Sequence, residues 1–191
     1  MKGLRILYAL TGSFCTFEVA LKALEALVEA GADVTPAMSY HAAMLDTRFG
    51  AAKEFKTRLQ QLTGKPVIET LMETEPIGPQ KLVDIVVVAP CTGNTMSKFA
   101  TGITDTPVLM ACKSQLRNAR PVLLALSSND GLSGGAQNMG RLLNTKNVFF
   151  VPMFQDDPIG KPTSLNADYS SLQAAIESAM QGKQLQPVIS K

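Results

Sequence analysis

The chain has 191 residues, and its 18 lysines and arginines against 16 aspartates and glutamates leave a formal net charge of +2. That length suits one globular domain that buries about 70% of the surface its unfolded form exposes, so no disulfide or metal staple is required. Mixed charge without a basic block, polar tail or low-complexity tract excludes an electrostatic case for nucleic acid and a compositional case for disorder.

Cys15, Cys91 and Cys112 are odd in number and lack metal-ligand spacing, and no apolar stretch follows the basic N-terminus as in a signal peptide. A reducing, cytoplasmic setting is expected. No apolar run approaches the roughly 20 residues of a membrane helix, so a soluble protein is expected.

The stretch RILYAL reads as a strand covered on both faces. After the turn TGS, the spacing of Phe17, Ala20, Leu21, Leu24, Leu27 and Val28 predicts an amphipathic helix, with Thr16 as N-cap, Glu18 at the positive dipole end and Gly31 as the left-handed stop. DVTPAM completes a βαβ unit. Residues 47–63 read as a helix, PVIET as a short extended piece and EPIGPQ as a punctuated connection. The strand DIVVVAP follows, then a helix from about Asn94 and another over PVLMACKSQLRNA. PVLLALS, a glycine-rich loop, a helix over QNMGRLLN and the strand VFFVPM continue the alternation. QDDPIGKPTSLNA reads as a loop of turn formers and YSSLQAAIESAMQ as a closing helix. Strands separated by helices, without a linker or repeat, define one doubly wound, Rossmann-like (flavodoxin-like) α/β domain over residues 1–191 with a mostly parallel sheet.

In such a sheet ligands bind outside the carboxyl ends of the strands, and four strand-to-helix loops are rich in small polar residues. The first, LTGSFCT, offers Thr11, Gly12 and Ser13, whose amides and hydroxyls suit a phosphate at a helix N-terminus. G-x-G-x-x-G is absent, and MSY rather than an acid follows the second strand, which argues against a nicotinamide dinucleotide site. The second loop carries Ser39 and the single histidine, His41, a minor candidate with no acid placed to orient it. The third, APCTGNT, presents Pro90, Cys91, Thr92, Asn94 and Thr95. Its polar groups suit a flat ligand lying on backbone or, equally, a helix cap, and Cys91 suits a small apolar filler as well as a cofactor contact. The fourth, SSNDGLSGG, brings Ser127 and Ser128. Convergence of the four on one sheet edge implies a pocket.

DIVVVAPCTGNTMSKFATGITDTPVLM resembles the homo-oligomeric flavoprotein family that includes peptidyl-cysteine decarboxylases, phosphopantothenoylcysteine decarboxylase and flavin prenyltransferases. That family commonly carries P-A-S-A-N-T, then a Lys, a small residue, Gly and an Asp-Asn pair. Here Pro90, Asn94, Thr95, Lys98, Ala100, Gly102 and Asp105 match, and the likeness runs over about residues 4–155. It implies that these loops hold flavin mononucleotide (FMN), with Gly12, Ser13 and Ser39 near its phosphate and ribityl chain. It also implies a homo-oligomer, trimer-based, in which neighbouring subunits complete the site. Two departures narrow the activity. Pro76 stands where the cysteine decarboxylases have a histidine, and Ser127, Ser128 and Asn129 stand where the prenyltransferases have an Arg-Glu pair. The full pattern looks most like a branch that works with a nicotinamide-dependent partner subunit to oxidise a dihydropyridine dicarboxylate. Lys98, Asn138 and Arg141 are then candidates to hold the carboxylates. A flavin-free assembly role and a flavin-dependent decarboxylase activity are the rival expectations.

Overall fold

The computed structural model describes residues 1–190. Strands β1 (Arg5–Leu10), β2 (Asp33–Met38), β3 (Ile85–Cys91), β4 (Val122–Ser128) and β5 (Val148–Phe150) run parallel in the spatial order β2-β1-β3-β4-β5. An antiparallel hairpin, β6 (Met153–Phe154) and β7 (Leu165–Ala167), extends the far end of β4 through the pairs Ser127 with Asn166 and Ser128 with Leu165. The stretch expected to be only a loop of turn formers therefore contains β7, a strand of three residues. Too few residues are involved for an alternating pattern to show.

Alternation along the strands builds two cores. Ile6, Tyr8 and Leu10 of β1, with Ile85 and Val87 of β3 and Leu123 and Ala125 of β4, face one side. There they meet α1 (Phe17–Glu29), α2 (Tyr40–Met44), α3 (Ala52–Thr63) and, later in the chain, the closing helix. Leu7, Val86, Val88, Val122, Leu124 and Leu126 face the other side. Between α3 and β3 lies the short α4 (Leu71–Thr74), closed by a reciprocal capping box in which Thr70 accepts the Glu73 amide and Glu73 accepts the Thr70 amide. The helices α5 (Gly93–Ala100), α6 (Pro107–Arg117) and α7 (Ala136–Leu143) cover the second face, and α8 (Leu172–Met180) closes the first. Each fully buried Leu, Val or Ile contributes on the order of 1.5–3 kcal/mol of transfer free energy, so the sheet with its two coats is the stable frame for the loops at its rim.

The predicted stripe on α1 is realised: Phe17, Ala20, Leu21, Leu24 and Leu27 are buried, and Gly31 at φ +84° supplies the left-handed stop. Thr16 precedes α1, but its side chain makes no cap bond. It reaches instead to Ser127, 3.0 Å away. The helix expected over 47–63 begins at Ala52, because Thr47 and Gly50 close a tight turn on each other and the Asp46 carboxylate accepts the Ala52 amide at 2.9 Å. PVIET is extended as expected, with Ile68 bonded between Pro36 and Met38 at the outer edge of β2.

Candidate functional site

The chain passes from β1 to β2 on one side and returns through β3 on the other. Loops leaving β1 and β3 consequently part, and a crevice opens at the carboxyl ends of the strands. Thr11 ties the two loops below the crevice. Its hydroxyl donates to the Pro90 carbonyl at 2.8 Å and accepts the Thr92 amide at 2.9 Å, and its own amide also donates to Pro90.

Above this clamp is a cleft of about 380 Å³, within the range of small-molecule and cofactor sites. Six of the expected binding residues line it, Gly12, Ser39, Thr92, Asn94, Thr95 and Lys98, together with the motif residue Asp105. Ser39 caps the start of α2 without using its side chain, so its hydroxyl has no partner among the described residues. Thr92 caps α5, accepting the Thr95 amide at 3.1 Å and donating to the Thr95 hydroxyl oxygen at 3.0 Å. That arrangement leaves the Thr95 proton uncommitted. Gly93 and Asn94 open α5 with amides that have no acceptor within the helix. A Cβ on Gly12 would meet only the Phe14 ring, at 3.6 Å, so nothing in the chain itself fills that part of the cleft. Donors aimed at an open cradle suit a phosphorylated polyol bearing a flat ring, and the residues present fit flavin mononucleotide on that ground.

Lys98 reaches the carboxylate of Asp105 at 2.6 Å across the cleft. The hydrogen bond from Lys98 holds the Asp105 carboxyl below its ordinary range. His41 also lines the cleft, as do Phe14, Leu45, Thr106 and Leu109. These last were not singled out, although Thr106-Pro107 is a legible helix start: the Thr106 hydroxyl accepts the Leu109 amide and Pro107 occupies the first helical position. Leu45 was hidden because five-residue α2 is too short to produce a periodic signal.

The other expected site residues lie elsewhere. Thr11 and Pro90 form the clamp. Cys91 does not face the cleft: a register shift between Val88 and Cys91 turns its side chain into the core beneath α5 to α7, with no exposure. Burial pushes its thiol up to about 12, so it stays protonated at neutral pH. Ser128 donates to the Asp130 carboxylate and packs on Gly93, where a Cβ would lie 2.6 Å from the Ser128 oxygen. The third and fourth loops touch only because position 93 lacks a side chain. Asn138 donates to the Ser97 hydroxyl at 3.0 Å and Arg141 is exposed on α7; within one chain neither lines the cleft.

Ser13 and Ser127 belong to a different network. The hydroxyls of Ser13 and Thr16 lie 3.0 Å apart, those of Thr16 and Ser127 are also 3.0 Å apart, and Ser127 donates to Asn166 Oδ1 at 2.6 Å. Thr16 and Asn166 line a second cleft of about 490 Å³ between α1 and the β6–β7 hairpin. Tyr169 also borders it, and the Tyr169 hydroxyl is buried without a partner.

A doubly wound sheet with its cleft at the β1/β3 crossover, floored by a Thr-to-Pro clamp and roofed by a helix N-terminus, defines a nucleotide-type cofactor fold. The sequence pattern of the Flavoprotein family matches residues 1–176, and the chain belongs to that family. It is 45% identical to the B subunit of dipicolinate synthase from Bacillus subtilis (strain 168) over 189 residues, 99% of this chain and 94% of the relative. The crystal structure of the corresponding dipicolinate synthase B subunit from Bacillus halodurans superposes with a TM-score of 0.91 at 43% identity, covering 100% of this chain and 97% of the other. The FMN-dependent cysteine decarboxylase SpaF shares the fold at a TM-score of 0.71 and 18% identity, over 93% of this chain and 95% of the other.

Proposed function

We propose that the chain binds flavin mononucleotide in the β1/β3 cleft and serves as the flavin-carrying B subunit of dipicolinate synthase. In this reading it acts with the nicotinamide-dependent partner subunit of that enzyme, in the cytoplasm of a sporulating cell, to oxidise a dihydropyridine dicarboxylate to dipicolinate. The observation that carries the reading is the unpartnered Ser39 hydroxyl opposite the open α5 amides and the empty space at Gly12, in a chain 45% identical to the B subunit of a dipicolinate synthase.

Gly12, Ser39, Asn94 and Thr95 would hold the cofactor, with Thr11 and Pro90 keeping the two loops in register and Thr92 fixing the start of α5. Bound flavin supplies a two-electron acceptor for the dihydropyridine ring. Aromatisation of that ring drives the reaction, so the tasks left to the side chains are orientation and charge. Lys98, held at the rim by Asp105, is placed to meet a substrate carboxylate, because an unpaired carboxylate entering a cleft loses more hydration than it recovers. Asn138 and Arg141, outside the cleft of one chain, would serve a carboxylate only in a trimer-based assembly that brings a neighbour's α7 over it.

Cysteine decarboxylation is the weaker reading. Pro76 occupies the 3-10 turn Glu75–Ile77 in place of the imidazole that the resemblance implies there. The experiment is co-purification with the nicotinamide-dependent partner followed by an assay of dipicolinate formation. Asn94→Trp should abolish product while the two-protein assembly survives. Retained turnover in that variant would favour a flavin-free assembly role.

A further inference from the structure

The loop between β6 and β7 presents Ile159 at its tip with 96% of its surface exposed, the most exposed large apolar side chain among the described residues. Left in water, it forgoes the transfer free energy that burial would supply. The loop that carries it is well tied. The Lys161 amide donates to the Asp157 carbonyl at 2.8 Å, the Gly160 amide to the Asp157 carboxylate at 2.8 Å and Gln155 Nε2 to the Pro162 carbonyl at 2.9 Å. Lys161 Nζ and the Ser164 hydroxyl both donate to the Asp156 carboxylate. The Thr163 hydroxyl donates to the Asn129 carbonyl at 2.7 Å and the Leu132 amide to the Thr163 carbonyl at 2.9 Å, so the half-exposed Leu132 stands beside the loop. An apolar knob that is already ordered loses little conformational entropy when it docks. Asp157, two residues before it, is exposed and forms no ion pair among the described residues.

A hollow of complementary character lies between α5 and α6. It has a volume of about 350 Å³ and is lined by Phe99, Gly102, Thr104, Lys113, Leu116 and Arg117. Phe99 and Leu116 give it an apolar wall, extended by the half-exposed Ile103. Lys113 and Arg117 give it a cationic rim, and neither side chain has an ion pair or hydrogen bond among the described residues. An apolar knob with a free carboxylate thus matches an apolar hollow with two free cations, and no hydrogen bond or ion pair joins the two within one chain. We propose that a second copy of this chain docks its Ile159 into the hollow between α5 and α6, with its Asp157 against Lys113 and Arg117. Knob and hollow are different surfaces, so the contact is head-to-tail and builds a ring where its rotation closes. Bound flavin is not required for it.

The test measures mass in solution by light scattering, on the full-length protein, across a dilution series starting at tens of micromolar. Wild type should exceed its single-chain mass of 20.4 kDa. Ile159→Asp should raise the dissociation constant about tenfold or more through the lost apolar burial. The pair Lys113→Glu with Arg117→Glu should do the same by setting like charges opposite Asp157. All three side chains are exposed, so the urea midpoints should match wild type. Mixing the two variants leaves one intact knob and one intact hollow per pair, and should recover a species of twice the chain mass that neither variant forms alone. A monomeric wild type, an Ile159→Asp assembly that dilutes as wild type does, or a mixture that stays monomeric overturns the proposal. Should Ile159→Asp fail to fold, an Ile159→Ala protein that dilutes as wild type does carries the same contradiction. A wild type that is monomeric alone but binds the nicotinamide-dependent partner subunit through Ile159 also overturns it, and assigns the knob to that partner.

Discussion

The Thr11 hydroxyl donates to the Pro90 carbonyl and accepts the Thr92 amide, joining the ends of β1 and β3 through one buried side chain. This bond pair fixes the spacing of the two loops at the floor of the crevice.

Replacing Thr11 with valine keeps the shape and removes both bonds. The part-buried Thr92 amide is left without its acceptor, at a cost of about 0.5–1.5 kcal/mol for the lost hydrogen bond. Urea unfolding should show a lower midpoint with an unchanged slope, and flavin affinity should fall as Thr92 loosens the start of α5.

Gly12→Ala addresses the cleft without touching the fold. Its Cβ meets nothing closer than the Phe14 ring at 3.6 Å, so the unfolding midpoint should hold. A ligand occupying that space would be displaced, and flavin affinity should drop about tenfold, in line with an overpacking cost of about 1–3 kcal/mol. Unchanged affinity would move the cofactor away from the first loop.

The βαβ start and the two-sided strands were legible because apolar spacing of 3.6 on α1, and continuous apolar runs in β1 and β3, report burial directly. The position of the cleft followed, since the carboxyl ends of those strands define it. Other features were hidden for physical reasons. The Cys91 side chain changes face through a local register shift that no composition rule encodes. The bond of Ser127 to Asn166 spans 39 residues of sequence and depends on the pairing of a three-residue strand. Thr16 had the right identity for a cap, yet its hydroxyl was drawn to a tertiary partner instead.

Cysteine chemistry gives an independent check. Cys91 and Cys112 are buried, and burial pushes both thiols up, Cys91 to about 12, while Cys15 is exposed. Iodoacetamide at neutral pH should label Cys15 alone in the native protein and all three cysteines after denaturation, as read by intact-mass spectrometry. Native labelling of Cys91 would contradict its placement in the core.

In the proposed reaction Asp105, paired with Lys98 at 2.6 Å, competes with a substrate carboxylate for that ammonium. Asp105→Asn should lower the apparent KM for the dicarboxylate and Lys98→Ala should raise it, each by about threefold to tenfold with kcat less affected. The Asp105 carboxyl is held low in the folded state by Lys98, so the stabilising effect of the pair is present above the ordinary aspartate range of about 3.9 and lost only as pH falls through the lowered value. Across neutral pH the KM difference should therefore be flat. A KM that rises in Asp105→Asn would place the carboxylate elsewhere.

The most direct measurement is a titration of the purified chain with flavin mononucleotide, followed by flavin fluorescence and absorbance, for wild type and for Ser39→Ala. Saturable binding at one flavin per chain, weakened at least several-fold when the unpartnered Ser39 hydroxyl is removed, is the predicted result. No binding up to tens of micromolar, or binding indifferent to Ser39, would contradict a flavin site in the β1/β3 cleft.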